Sequence, residues 1–118
     1  PSEFGVNFVA NSVITSEKML KEQPQVVEQF LSALLQGWEA AMNPANTTEV
    51  LAAVKKRDKN TDTAVMRKQL AATRELVVPA SGKLGRVNVA AWKQTEAIML
   101  RQGQIKRAVQ VEKRLRLQ

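Results

Sequence analysis

The groups in this 118-residue chain with types suited to chemistry are its carboxylates, serines and lysines, because it contains no His and no Cys. Glu17 with Glu22, and Glu28 with Glu39, are pairs of the kind that share proton transfers in general acid/base catalysis. Their spacing and surroundings are those of solvated helix faces, and no nucleophile accompanies them. Ser12, Ser16, Ser32 and Ser81 have no imidazole to activate them, and no Ser-x-x-Lys pair occurs. Gly82-x-x-Gly85 lacks the Gly-Lys-Ser/Thr ending that lets a glycine-rich loop cradle phosphate, and Lys83 beside it reads as a loop charge. Without His and Cys there is no disulfide, no thiol nucleophile and no Cys/His zinc site. These residues define no catalytic set. The expectation is a protein that is not an enzyme and carries no cofactor or metal.

What remains is binding, and the charge is the first clue to it. The formal net charge is +7, which points to an anionic partner such as nucleic acid or an acidic membrane surface. Lys55, Lys56, Arg57 and Lys59 against Asp58 contribute +3, and Lys106, Arg107, Lys113, Arg114 and Arg116 against Glu112 contribute +4. The rest of the chain is neutral. Neither cluster contains an aromatic residue to stack on bases, and both are distant in sequence from Trp38 and Trp92. The first reads as a solvated helix end, where cations suit the dipole; the second reads as a charged extension over residues 105–118. Nucleic acid is therefore not the expected partner. A small basic helical module acting on nucleic acid or a protein is the alternative.

A hydrophobic content of 44% with 25% charged residues fits a folded chain, and the length is that of one domain. With 4% aromatic residues, the core must be mostly aliphatic. No apolar stretch approaches the roughly 18–20 residues of a membrane span, and there is no basic-then-apolar leader.

The pattern predicts one strand and then helices. Gly5–Thr15 has apolar residues on both faces, as in a strand covered on both sides, with Asn11 marking a bend. Ser16 opens a short helical turn through Glu22. Pro24 takes the first position of a second helix, whose buried stripe is Val27, Phe30, Leu31, Leu34, Trp38 and Ala41. Gly37 in its middle implies a closely packed neighbour, and Asn43-Pro44 ends the helix. Asn46 and Glu49 form a capping box for a helix through about Lys56. Asp62 caps a fourth helix with the stripe Met66, Leu70, Thr73 and Val77. After a loop from Pro79 to Val87, Asn88 caps a fifth, with Val89, Trp92, Met99 and Leu100 inward and Gly103 as its stop. Both tryptophans read as core. The residues from Gln104 onward are helix-permissive.

A lone strand has no partner for its backbone. Gly5–Thr15 is thus expected to pair outside this chain, with a second copy or within a larger α/β protein of which this is a piece.

Specific residues favour the larger protein. The string Gly5-Val6-Asn7-Phe8, then Val13-Ile14-Thr15-Ser16-Glu17-Lys18, then Pro24, then Phe30-Leu31-x-Ala33-Leu34-Leu35-x-Gly37-Trp38 resembles the C-terminal part of ABC-importer substrate-binding proteins. The branch is the nitrate/sulfonate/taurine and thiamine-pyrimidine-precursor family. Pro44 and Trp92-x-x-Thr95-x-x-x-Met99-x-x-x-Gly103-x-Ile105 agree in order and spacing, so the resemblance runs from Gly5 to Ile105.

The resemblance implies an α/β, type II periplasmic-binding-protein fold in the parent, with this chain a mostly helical fragment bearing one strand near its N-terminus. Residues 1–104 would be the C-terminal segment of the first lobe, and residues 105–118 a basic extension that the family pattern does not match. The implied function is capture of a small solute (sulfonate, taurine, nitrate or pyrimidine-like) and its delivery to an ABC permease, in a periplasmic or extracytoplasmic location. Asn7, Phe8 and Asn11 lie closest to the lobe junction by analogy and border the cleft. The alternative for them is structural, with Phe8 in the core and the asparagines satisfying backbone groups. Most ligand contacts would lie upstream, so the 118 residues alone are expected to bind no solute and to self-associate through the strand's edges and apolar face.

Overall fold

The computed structural model describes residues 11–77 and 83–116. Among them are five α-helices and two short 3-10 turns, and no strand. The chain divides into two compact units. One is Thr15–Gly85; the other holds Arg86–Gln118 together with the N-terminal residues up to Ile14.

The expected strand is corrected only over its last five residues. Residues 5–10 lie outside the described residues. Residues 11–15 form no regular element and are exposed, Ile14 at 87%. The physical reason is the one that made the segment anomalous: extended backbone needs a neighbouring strand, and none exists among the described residues.

In the first unit, the Ser16 hydroxyl accepts the Met19 N–H at 3.0 Å and starts α1, Glu17–Glu22. Helix α2 follows as Pro24–Met42, with proline where a missing N–H costs nothing. Asn43 then accepts the Ala45 N–H and begins a 3-10 turn, Pro44–Asn46. Helix α3 is Thr47–Arg57. Its start falls where Asn46 predicts it, but no capping box forms. The 3-10 turn already ties the Thr47 N–H to the Pro44 carbonyl. The Asn46 side chain instead donates its Nδ2 to the Ala40 carbonyl at 2.9 Å.

Asp62 accepts the Ala64 N–H at 2.7 Å and opens α4, Thr63–Val77. The stripe Met66, Leu70, Thr73 and Val77 is the covered face of this helix, as the three-to-four spacing requires. Helix α3 packs along α4. The α2 stripe fares differently. Met42 is buried, but Phe30 is 59% exposed and Trp38 38% exposed. A Cβ built on Gly37 would meet nothing within 4 Å, so no close neighbour explains that glycine. Val27, Leu31, Leu34 and Ala41 of the stripe are half-buried, so cover along α2 is partial and leaves the two aromatic side chains out.

In the second unit, Asn88 accepts the Ala91 N–H at 3.0 Å and caps α5, Val89–Arg101. Its most buried positions are Ala91 and Thr95, one turn apart beside the predicted Val89, Trp92, Met99 and Leu100, which are half-buried. Thr95 donates its hydroxyl to the Ala91 carbonyl at 2.9 Å, so the buried oxygen is satisfied within the helix. Gly103, at φ 70°, stops the helix as predicted. Its left-handed conformation lets the Gln104 N–H return to the Met99 carbonyl at 2.9 Å.

The residues beyond do not continue as helix. They form turns and one 3-10 turn, Val111–Lys113, because a carboxylate of α5 recruits their backbone amides. Glu96 Oε1 accepts the N–H groups of Val109 and Gln110, and its Oε2 accepts that of Val111 at 3.4 Å. Val111 is buried as the segment's anchor.

Candidate functional site

Of the residues the resemblance places near a ligand cleft, Asn7 and Phe8 lie outside the described residues. Asn11 is exposed in an irregular segment, and the structure brings it to no described hydrogen-bonded cluster.

A concavity lies in the first unit. It is an open groove of about 500 Å³ between α2, α3 and α4. Leu34, Trp38 and Met42 line one wall; Leu51, Met66 and Leu70 line the others. Its volume is that of small-molecule sites, and no charged side chain lines it. Trp38 is therefore a groove wall and not a core residue, which corrects the sequence expectation. Trp92 is half-buried.

Two polar devices frame this unit. At the end of α2, Arg74 Nε and one terminal nitrogen donate to the Ala41 carbonyl at 3.3 and 3.1 Å, and the same nitrogen reaches the Asn43 carbonyl at 3.2 Å. Together with Asn46 on Ala40, it satisfies carbonyls that a helix C-terminus leaves without intrahelical partners. A cation there also suits the dipole. Sequence reasoning missed Arg74, although it stands four residues after Leu70 on the covered side of α4.

The second device lies at the basic run. Asp58 Oδ1 accepts the Asn60 and Thr61 N–H groups at 3.0 and 3.1 Å, and Oδ2 accepts the Thr61 hydroxyl at 2.5 Å. Lys55 donates its Nζ to the carbonyls of Thr61 and Lys59, at 2.5 and 3.2 Å. One lysine of the run is thus a structural strut of the α3–α4 loop, while Lys56, Arg57 and Lys59 stay exposed.

The Thr61 hydroxyl, followed by the two backbone N–H groups and then Lys55, holds the Asp58 carboxyl below its ordinary value of 3.8. A carboxyl lowered in the folded state stabilises above its unfolded pKa, and that contribution is lost as pH falls through the folded value. The loop should therefore stay closed at pH 5 and open only below the ordinary aspartate range. An NMR pH titration of the Asn60 and Thr61 amides should give a midpoint under 3.8. A midpoint at or above that value would remove this role from Asp58.

Among the described residues, no group of three or more His, Cys, Asp or Glu converges as a metal site. No helix among them is long and apolar enough to cross a membrane.

A family model described as NMT1/THI5 like matches residues 1–47. The matched span holds the Gly5–Trp38 string, α1, α2 and the turn that follows, and it supports a solute-binding role at a coarse level. No curated protein and no solved structure matches the chain.

Proposed function

We propose that the chain is part of the solute-binding component of an ABC importer. The observation that carries this reading is the family-model match over residues 1–47, which falls on the string that resembles that family. The component captures a sulfonate, taurine, nitrate or pyrimidine-like solute in the periplasm or another extracytoplasmic space and delivers it to the permease. It does no chemistry: ligand selects the closed arrangement of two α/β lobes by its higher affinity for that state. Residues 1–104 contribute to the first lobe, with Asn7, Phe8 and Asn11 bordering the cleft.

The helical set of the first unit suits a covering layer. Its α2 stripe and open apolar groove are surfaces of the kind that α/β proteins lay against a sheet.

A thermal-shift panel tests the reading on the protein as its gene encodes it. Taurine, an alkylsulfonate, nitrate and a thiamine pyrimidine precursor serve as probes. One of them should raise the melting temperature saturably, since a ligand binding only the folded state stabilises it by mass action. No response to any of the four would overturn the proposal.

A further inference from the structure

The solute-binding reading leaves the basic segment after Ile105 without a task, and the structure gives that segment a definite shape. Glu96 accepts three consecutive backbone N–H groups, those of Val109, Gln110 and Val111. Gln110 at φ 53° and ψ 57° is left-handed, a conformation that turns successive amides towards one anion. Val111, 7% exposed, anchors the clasp.

The clasp decides what the segment shows to solvent. Glu96 commits its carboxylate to backbone amides, and Glu112 is the one acid between residues 105 and 116. Lys106, Arg107, Lys113 and Arg116 are exposed. Arg116 folds back onto the carbonyls of Lys113 and Leu115, which fixes its guanidinium close to the chain. Val109, in the same segment, is 47% exposed.

A partner must match cations interspersed with exposed aliphatic surface. Nucleic acid fits poorly: the segment has no aromatic residue for stacking, and its one regular element, three residues of 3-10 turn, is no reading helix. Anionic lipid head groups fit both features, because phosphates attract the cations and the acyl boundary accepts aliphatic side chains. We propose that residues 105–116, clasped to α5 by Glu96, form a docking surface for an anionic phospholipid membrane.

Sedimentation of the 118-residue chain with vesicles tests this. The chain should partition onto phosphatidylglycerol vesicles and not onto phosphatidylcholine alone, and salt should weaken the binding. Each cation near such a surface strengthens binding about fivefold, so the double variant Lys113→Ala/Arg116→Ala should lose about 25-fold. Lys56→Ala/Lys59→Ala should leave it unchanged. Glu96→Gln removes one negative charge yet should weaken binding, because it leaves one acceptor oxygen where the carboxylate offers two and so loosens the clasp. Far-UV circular dichroism confirms that each variant keeps its helices.

Four results would overturn the proposal: no partition onto phosphatidylglycerol, equal losses from the two double variants, tighter binding by Glu96→Gln, or stronger retention by duplex DNA than by vesicles.

Discussion

Leu51→Ala should destabilise the helical unit by about 2–4 kcal/mol, with the lower half of that range expected because the neighbouring groove is already open. Leu51 is 5% exposed at the middle of α3, and it lines the groove against α2 and α4 as well as a smaller depression on the Arg67 side. Within Thr15–Gly85, the buried apolar residues among those described are Met42, Leu51 and Met66. Removing one of three leaves little to hold α3 against α4. Val65→Ala, at a side chain 47% exposed, should change stability by less than about 0.5 kcal/mol. Urea unfolding followed by far-UV circular dichroism compares the two. Equal, small losses would show that Leu51 carries no special share of the packing.

The second large effect is expected at Arg74. Replacing it with Met keeps an apolar stem of similar length and removes every donor. The carbonyls of Ala41 and Asn43 then lose their partner. Hydrogen bonds from a charged donor contribute about 1.5–3 kcal/mol, and partial solvent access at this half-buried site argues for the low end. Lys at this position should recover part of the loss, since it restores the charge near the helix end without the planar fork. A change within about 0.5 kcal/mol for Arg74→Met would place it among neutral surface substitutions and remove its role in fastening α4 to α2.

These two residues also mark where the sequence was legible. Helix starts were readable because caps are local: Ser16, Pro24, Asp62 and Asn88 each act within three residues of themselves. The α4 stripe was readable for the same reason, since period alone places Met66 and Leu70 on one face. Coverage of a stripe is not local. Phe30 and Trp38 stand in register with the half-buried Leu34 and Ala41, yet nothing in their spacing says that these two aromatic side chains stay exposed. Arg74 and Glu96 act across 33 and 13–15 residues of chain, beyond the reach of periodicity. Glu96 left one trace, as the sole acid of α5 before a run of cations. The tail's apolar content fitted a helix, but a carboxylate that collects its amides outcompetes the helical hydrogen bonds.

The candidate ligand-bordering residues were legible only through the family resemblance. Asn7 and Phe8 lie outside the described residues, and Asn11 is exposed without regular structure. Among the described residues, no group of three or more His, Cys, Asp or Glu converges beside them as a metal site. Solute capture therefore rests on the match at residues 1–47, while the groove and the two polar devices describe how the helical layer is held.

Solute capture is tested most directly by isothermal titration of the gene's whole product with whichever panel solute shifts its melting temperature, run beside the same titration of the 118 residues alone. The account predicts saturable one-to-one binding to the whole product and none to the 118 residues, because half a clamp cannot enclose a ligand. Saturable binding by the 118 residues alone, or none by the whole product, would contradict it.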